Sequence, residues 1–169
     1  DQYIIFGAEG DNGINVYRID ADGSNCTMIY ESDNSYAPTQ ARYSPDGTKI
    51  ALYHEDSSNV KKIRIIDSAD GTIVDELTPT DLWSSPVWSP DGTRIAYLAG
   101  GYDTQNNVEI PNLTVRSVDL SNYNDELMYQ QDVSDGLNGL SWGTPTTDIP
   151  PLSMRINQPN PLISGQSTT

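Results

Sequence analysis

The sequence predicts an all-β protein of about three four-stranded β-propeller blades, and three observations support this fold class. The segment Tyr43–Tyr53 recurs 45 residues later as Trp88–Leu98, and both copies contain Ser-Pro-Asp-Gly-Thr. Asp outnumbers Glu by 18 to 6, and Asp favours turns whereas Glu favours helices. No segment has the apolar periodicity of a helix. Short strands in units of this length are typical of propeller blades.

The middle copy divides into four short strands, called a to d in chain order. Apolar and β-branched residues predict them at Gln40–Ser44, Lys49–Glu55, Lys61–Asp67 and Thr72–Leu77. Ser-Pro-Asp-Gly predicts a tight hairpin between a and b, because Pro presets the second turn position and Gly accepts the left-handed conformation. Asp-Gly pairs predict similar turns between c and d, at Asp20–Gly23 and Asp67–Gly71.

The other two copies differ from the middle one at their ends. The first has strand b at Gln2–Phe6 and strand c at Val16–Asp20, but no strand a. The third has strand c at Leu113–Asp119, and the extra residues Gly100–Asn112 are interpreted as a loop insertion. A spare strand of the a type is predicted at Leu137–Trp142. Since three blades cannot close a ring, we expect this strand to pair with a strand such as Gln2–Phe6 of a second copy, or with further blades of a longer protein.

The composition of the 169-residue chain is that of a globular protein, and its charge argues against several partners. Nine basic and 24 acidic residues give a formal net charge of −15, which disfavours nucleic acid and anionic membrane surfaces. No apolar run is long enough for a membrane helix. The single Cys26 and the single His54 disfavour disulfides and metal centres. The sequence therefore predicts no cofactor, no metal, no nucleic-acid partner and no membrane insertion.

The repeat also resembles the TolB-like β-propeller repeat of bacterial envelope and secreted proteins. The pattern that carries the resemblance is an aromatic residue followed by Ser-Pro-Asp-Gly-Thr-Lys/Arg-Ile-Ala, then a strand and an Ile-Asp-x-x-x-Gly turn. The resemblance covers residues 1–143 and implies a secreted, periplasmic or cell-surface bacterial protein. Members of that family bind partners, carry peptidase domains or perform chemistry, so the resemblance does not imply one function.

Residues 144–169 are predicted to form a Pro-rich linker, since they contain five of the eleven prolines. Within them, Asn157–Thr169 resembles the opening of the C-terminal sorting domain of secreted proteins of the Bacteroidota type. This resemblance implies that the chain leads into a sorting or immunoglobulin-like domain. A surface linker without a targeting role explains the same residues.

One motif suggests catalysis, but its context argues against it. Gly139–Gly143 fits the Gly-x-Ser-x-Gly nucleophile elbow, with Ser141 as the nucleophile. Such an elbow needs a following helix and a later histidine, whereas prolines follow here and no histidine lies beyond Ser141. The Asp-Gly clusters lack the spacing and the terminal Glu of a calcium loop. The sequence therefore predicts no catalytic residue and a chain that is not an enzyme.

The longer loops predict a binding surface. The a-to-b and c-to-d turns are tight and repetitive, whereas the b-to-c and d-to-a loops differ from one another and emerge together on the opposite face, called the loop face. Aromatic side chains beside polar groups suit a protein or a glycan partner. The candidate binding residues are Tyr36, His54, Asp56, Trp83, Tyr102 and Asp103. Competing interpretations are packing of Tyr36 and Trp83 between blades and a structural, hydrogen-bonded His54.

Together these observations favour a non-catalytic binding or display module of the extracellular space or the envelope. The alternative is an accessory propeller domain of a secreted carbohydrate-active enzyme or serine peptidase whose catalytic domain lies outside this chain. The binding interpretation is preferred because the residues nominate no acid–base pair.

Overall fold

The computed structural model describes residues 3–10, 13–32, 41–79, 81–82, 86–103, 108–130 and 140–143. Across these ranges the protein consists of strands, tight turns and loops, with no helix and therefore none that could span a membrane. The eleven described strands form three antiparallel sheets, and each sheet corresponds to one sequence repeat. The predicted fold class, all-β with about three propeller blades, is confirmed.

The first blade is a three-stranded sheet in the order β1 (Tyr3–Gly10), β2 (Gly13–Asp20) and β3 (Thr27–Tyr30). Every residue of β1 pairs with β2, from Tyr3 opposite Asp20 to Gly10 opposite Gly13. In the part of the chain that the structure describes, no strand lies on the other edge of β1. Among the described residues, the first blade thus has no counterpart of the strand a predicted for the middle copy.

The second blade has four strands in the order β4 (Arg42–Tyr43), β5 (Lys49–Glu55), β6 (Lys61–Asp67) and β7 (Ile73–Leu77). The predicted bounds of strands b and c are those of β5 and β6. Strand a is shorter than predicted, because β4 pairs with β5 only through Arg42 opposite Ala51 and Tyr43 opposite Ile50.

The third blade has β8 (Val87–Trp88), β9 (Arg94–Asp103), β10 (Val108–Asp119) and β11 (Asp125–Gln130), again in a simple meander. The interpretation of Gly100–Asn112 as a loop insertion is wrong. Strands β9 and β10 both extend into it, and Asp103 pairs with Val108. The extra length is absorbed by continued main-chain pairing and a register shift between Ile110 and Thr114, so the insertion lengthens a hairpin.

The two Ser-Pro-Asp-Gly segments form matching hairpin turns, as predicted. Gly47 and Gly92 have φ values of 74° and 71°. Their N–H groups donate to the carbonyl oxygens of Ser44 and Ser89, both at 2.9 Å. Gly23 and Gly71 similarly close the predicted c-to-d turns, with φ values of 86° and 74°. Repeated sequence therefore gives repeated backbone geometry.

The blades pack face to face through two apolar cores, one on each face of the middle sheet. Successive side chains of a strand point to opposite faces. One core joins Val16, Ile29 and Tyr30 of the first blade to Ile50, Leu52 and Ile66 of the second. The other joins Ala51, Ile63, Ile65 and Leu77 to Leu82, Trp88, Ile95, Tyr97, Ala99 and Val118. This double coverage explains why the middle strands are almost continuously apolar.

Candidate binding site

His54 does not lie on the loop face, which corrects the prediction for this residue. Strand β5 continues through Glu55, so His54 is paired opposite Lys62 inside the sheet. Strand alternation places it on the same face as Ile50 and Leu52, which pack against the first blade. Its exposed fraction is 0%. A ligand on the loop face therefore has no access to this imidazole.

Asp56 lies at the predicted b-to-c loop, where its carboxylate organises the turn. Its Oδ1 accepts hydrogen bonds from the N–H groups of Val60 at 3.0 Å and Ser58 at 2.9 Å. The Lys62 ammonium lies 3.5 Å from the other oxygen. These interactions, led by the Val60 N–H, lower the pKa of Asp56. The carboxylate thus has a structural role in the loop, and its use in binding stays a prediction.

For the other four predicted site residues, the structure describes only the backbone of Tyr102 and Asp103. Tyr36 and Trp83 lie outside the described residues. The backbone of Tyr102 and Asp103 belongs to the end of β9, paired with Glu109 and Val108, but their side chains are not described. Grouping of these four residues with Asp56 in one binding surface therefore stays a prediction.

A cleft of about 370 Å³ lies on the opposite face, between the two repeated turns. We call it the turn cleft. Its lining combines the rims of both turns with the Trp88 ring and the exposed Lys49. The residues are Ser44, Pro45, Asp46, Lys49, Trp88, Pro90, Asp91 and Gly92. The sequence analysis missed this cleft because it assigned binding to the loops that differ between repeats. The cleft lies between two identical turns and is lined by residues of both.

A second groove, of about 320 Å³, adjoins the turn cleft along the innermost strands. We call it the aromatic groove. It shares Pro45, Trp88 and Pro90 with the turn cleft and adds three further ring or guanidinium groups. The residues are Arg42, Tyr43, Pro45, Val87, Trp88, Pro90 and Trp142. Tyr43, Trp88 and Trp142 are the aromatic residues that mark the successive a-type segments, which is the sequence signal that could have located it.

The indole of Trp88 fixes the two innermost strands relative to each other. Its Nε1–H donates to the carbonyl oxygen of Arg42 at 3.0 Å, across the boundary between the second and third blades. The bond uses the main chain of Arg42, so its exposed guanidinium remains at the groove surface. Trp88 itself is 7% exposed and forms the buried floor of the groove. The surface for apolar contact therefore comes from the exposed Pro45 and Pro90 rings and the half-buried Trp142, with the Arg42 guanidinium as a cation for orientation.

The two turn carboxylates are held by their own hairpins. Asp46 accepts the Ser44 hydroxyl at 2.6 Å and the Thr48 N–H at 3.1 Å, and these bonds lower its pKa. Asp91 accepts the Ser89 hydroxyl at 2.6 Å and the Thr93 N–H at 3.0 Å. These bonds lower the pKa of Asp91 to about 2. Both groups are therefore anionic rims of the turn cleft at neutral pH.

Ser141 is exposed, next to the half-buried Trp142. Within this chain Leu140–Trp142 has no strand pairing, and residues 137–139 lie outside the described ranges. Pairing of the predicted strand Leu137–Trp142 with a second copy or with further blades stays a prediction. The described residues also contain no group of three or more His, Cys, Asp or Glu side chains that could hold a metal ion.

Several solved structures share this architecture. TolB from Acinetobacter baumannii is 20% identical, with a TM-score of 0.59 over 75% of this chain and 30% of that protein. An uncharacterized protein from Listeria monocytogenes is 16% identical, with a TM-score of 0.57 over 83% of this chain and 39% of that protein. An oligogalacturonate lyase in complex with manganese is 16% identical, with a TM-score of 0.56 over 77% of this chain and 37% of that protein.

These likenesses establish a fold of the TolB-like β-propeller type. No protein-family model and no curated protein matches the chain. The chain spans 30% to 39% of the length of the three solved proteins. Because identity is 20% or lower, the manganese and the chemistry of the lyase belong to that protein alone.

Proposed function

We propose that this chain is a non-catalytic binding module of the extracellular space or the bacterial envelope, and that its partner, a protein or a glycan, binds in the aromatic groove. The observation that carries the proposal is the convergence of Trp88, Trp142 and two proline rings beside the Arg42 guanidinium. Rings of this kind bury apolar area at little cost in conformational entropy. The extracellular or envelope location is supported by the repeat pattern and by the likeness to TolB.

The groove is suited to recognition because rigid elements hold its walls. Pro45 and Pro90 belong to hairpins closed by the same main-chain hydrogen bonds, and the Trp88 indole is fixed by the Arg42 carbonyl. A preformed surface loses little entropy on binding, which favours affinity. The Arg42 guanidinium favours a partner that places an anionic or hydrogen-bond-accepting group beside the apolar contact.

The proposal is tested by screening the chain against a glycan array and a peptide library of defined composition. We expect at least one ligand to bind, and Arg42→Glu to weaken it at least tenfold through charge reversal at the groove. Lys61→Glu is the matched control, because Lys61 begins β6 beside the b-to-c loop on the other face. Bound ligands should be recovered intact by mass spectrometry.

Binding that is lost in Lys61→Glu and kept in Arg42→Glu would move the site to the loop face. Binding to nothing in either panel would contradict the groove as a site. Cleavage of a bound ligand would contradict a non-catalytic module.

A further inference from the structure

The turn cleft and the aromatic groove form one continuous surface, because three ring residues line both. These shared residues are Pro45, Trp88 and Pro90. Arg42 lines only the aromatic groove, whereas Asp46 and Asp91 line only the turn cleft. The surface therefore carries a guanidinium in one part and two carboxylates in the other, with apolar rings between them.

The two carboxylates differ in how many acceptor sites their own hairpins use. Oδ1 of Asp91 accepts the Ser89 hydroxyl at 2.6 Å, the Thr93 N–H at 3.0 Å and the Thr93 hydroxyl at 2.9 Å. Asp46 uses its Oδ1 in the same way, and its Oδ2 also accepts the Thr48 hydroxyl at 2.9 Å. Within the described residues no donor reaches Oδ2 of Asp91. This oxygen of an exposed residue is therefore open to a donor from a ligand.

Lys49 also lines the turn cleft, but it does not neutralise the carboxylates. Its side chain is exposed, and in the part of the chain that the structure describes its ammonium forms no ion pair with Asp46 or Asp91. The cleft thus sets two carboxylates against one ammonium on a long, flexible stem. This balance of charge favours a ligand that brings a cation into the cleft.

We propose, on the basis of the binding function proposed above, that the partner of this surface is a peptide segment with a basic side chain. The arginine or lysine of the peptide enters the turn cleft and donates to Oδ2 of Asp91. A neighbouring apolar residue covers the Pro45 and Pro90 rings, and an acidic or carbonyl group faces Arg42. A peptide combines these three groups within a few residues, whereas a neutral glycan has no cation for the cleft.

Matched peptides test the basic side chain directly. The probes are fluorescently labelled peptides with an acidic residue, an apolar spacer of varied length and an arginine. Each is paired with the same peptide carrying citrulline, which has nearly the shape of arginine without its charge. We expect the arginine peptide to bind about threefold to fivefold more tightly, the range for an exposed ion pair. Added salt should reduce this difference.

Two variants of the chain change the cleft in opposite directions. Asp91→Asn removes the charge but keeps an acceptor for Ser89, so it should abolish the preference for arginine. Lys49→Gln removes the competing cation and should tighten binding of the arginine peptide about twofold, a gain that a damaged fold would not give. Asp70→Asn is the matched control, because Asp70 accepts the N–H and hydroxyl of Thr72 in a turn that does not line the cleft. It should leave both affinities unchanged.

Failure of this inference and failure of the proposed function give different results. Equal affinity for the arginine and citrulline peptides, with Arg42→Glu still weakening both, would overturn the basic side chain and keep the groove as a binding site. Weaker binding of the arginine peptide to Lys49→Gln would overturn it as well. Binding of a neutral glycan alone, unchanged in Asp91→Asn, would overturn the peptide as the partner. Ligand binding that Arg42→Glu does not affect would contradict the groove itself.

Discussion

At Gly71 the main chain of the second blade nearly touches the first blade. A Cβ atom on this residue would lie 1.5 Å from the carbonyl oxygen of Ile29 in β3. The neighbouring Ser68 carbonyl accepts a hydrogen bond from Arg18 of β2 at 3.0 Å. The sequence predicts a glycine here for its turn, but the close approach depends on how two blades sit together. One residue type therefore satisfies a local requirement that could be predicted and a tertiary one that could not.

Gly23 is the matched position for separating these two requirements, since it ends the same kind of turn with φ 86° and a Cβ there would meet nothing within 4 Å. We expect Gly23→Ala to cost about 1 kcal/mol through the positive φ alone. Gly71→Ala should cost at least about 2 kcal/mol more, because the first blade must move. Urea unfolding of both variants measures the difference, and equal costs would show that the blades do not approach each other at Gly71.

At the scale of the elements, the local sequence pattern predicts the turns and the middle strands correctly. It does not predict how far two strands continue to pair with each other. Strands β5 and β6 have the predicted bounds because alternation, β-branched residues and flanking turn residues all agree there. The length of the β9–β10 hairpin depends on main-chain pairing between residues without a clear apolar pattern. His54 was misplaced for a different reason: the predicted strand already included it, but its burial depends on the first blade covering the strand face that it shares with Ile50 and Leu52.

The repeated hairpins also predict a pH dependence of stability. Hydrogen bonds from Ser44 and Ser89 hold the pKa values of Asp46 and Asp91 below the ordinary value of 3.8. A depressed folded-state pKa stabilises the fold above the unfolded value, and that contribution is lost as the carboxylate is protonated. We expect the midpoint of urea unfolding to fall between about pH 4 and about pH 2.

Asp46→Asn with Asp91→Asn should flatten this part of the profile, because the amide cannot be protonated there. Glu9→Gln, at the exposed end of β1, is the control and should leave the slope between pH 4 and pH 2 unchanged in comparison with the parent chain. The hypothesis fails if the double variant shows the same acid slope as the parent, measured by circular dichroism at each pH.

For the whole molecule, the order of the blades decides which apolar residues are core. Ile4 and Ile50 occupy equivalent positions of the repeat, yet Ile4 is 55% exposed and Ile50 is fully buried between the first two blades. Pattern alone predicts the same apolar role for both, because a sequence repeat does not state which neighbour covers each face. The aromatic groove likewise depends on how neighbouring blades sit together, because residues of consecutive inner strands line it jointly.

Alanine substitution at these two equivalent positions measures how much of the stability comes from stacking of the blades. Ile50→Ala removes a side chain from the core shared by Val16, Leu52 and Ile66, so we expect a loss of about 2–5 kcal/mol in the free energy of unfolding. Ile4→Ala should cost less than about 1 kcal/mol, because Ile4 is 55% exposed and little buried surface is removed. Thermal unfolding monitored by tryptophan fluorescence compares the two variants under identical conditions. Equal losses would contradict the burial of Ile50 between the first two blades and the exposure of Ile4. A large loss at Ile50 with a single cooperative transition would show that the first and second blades unfold as one unit.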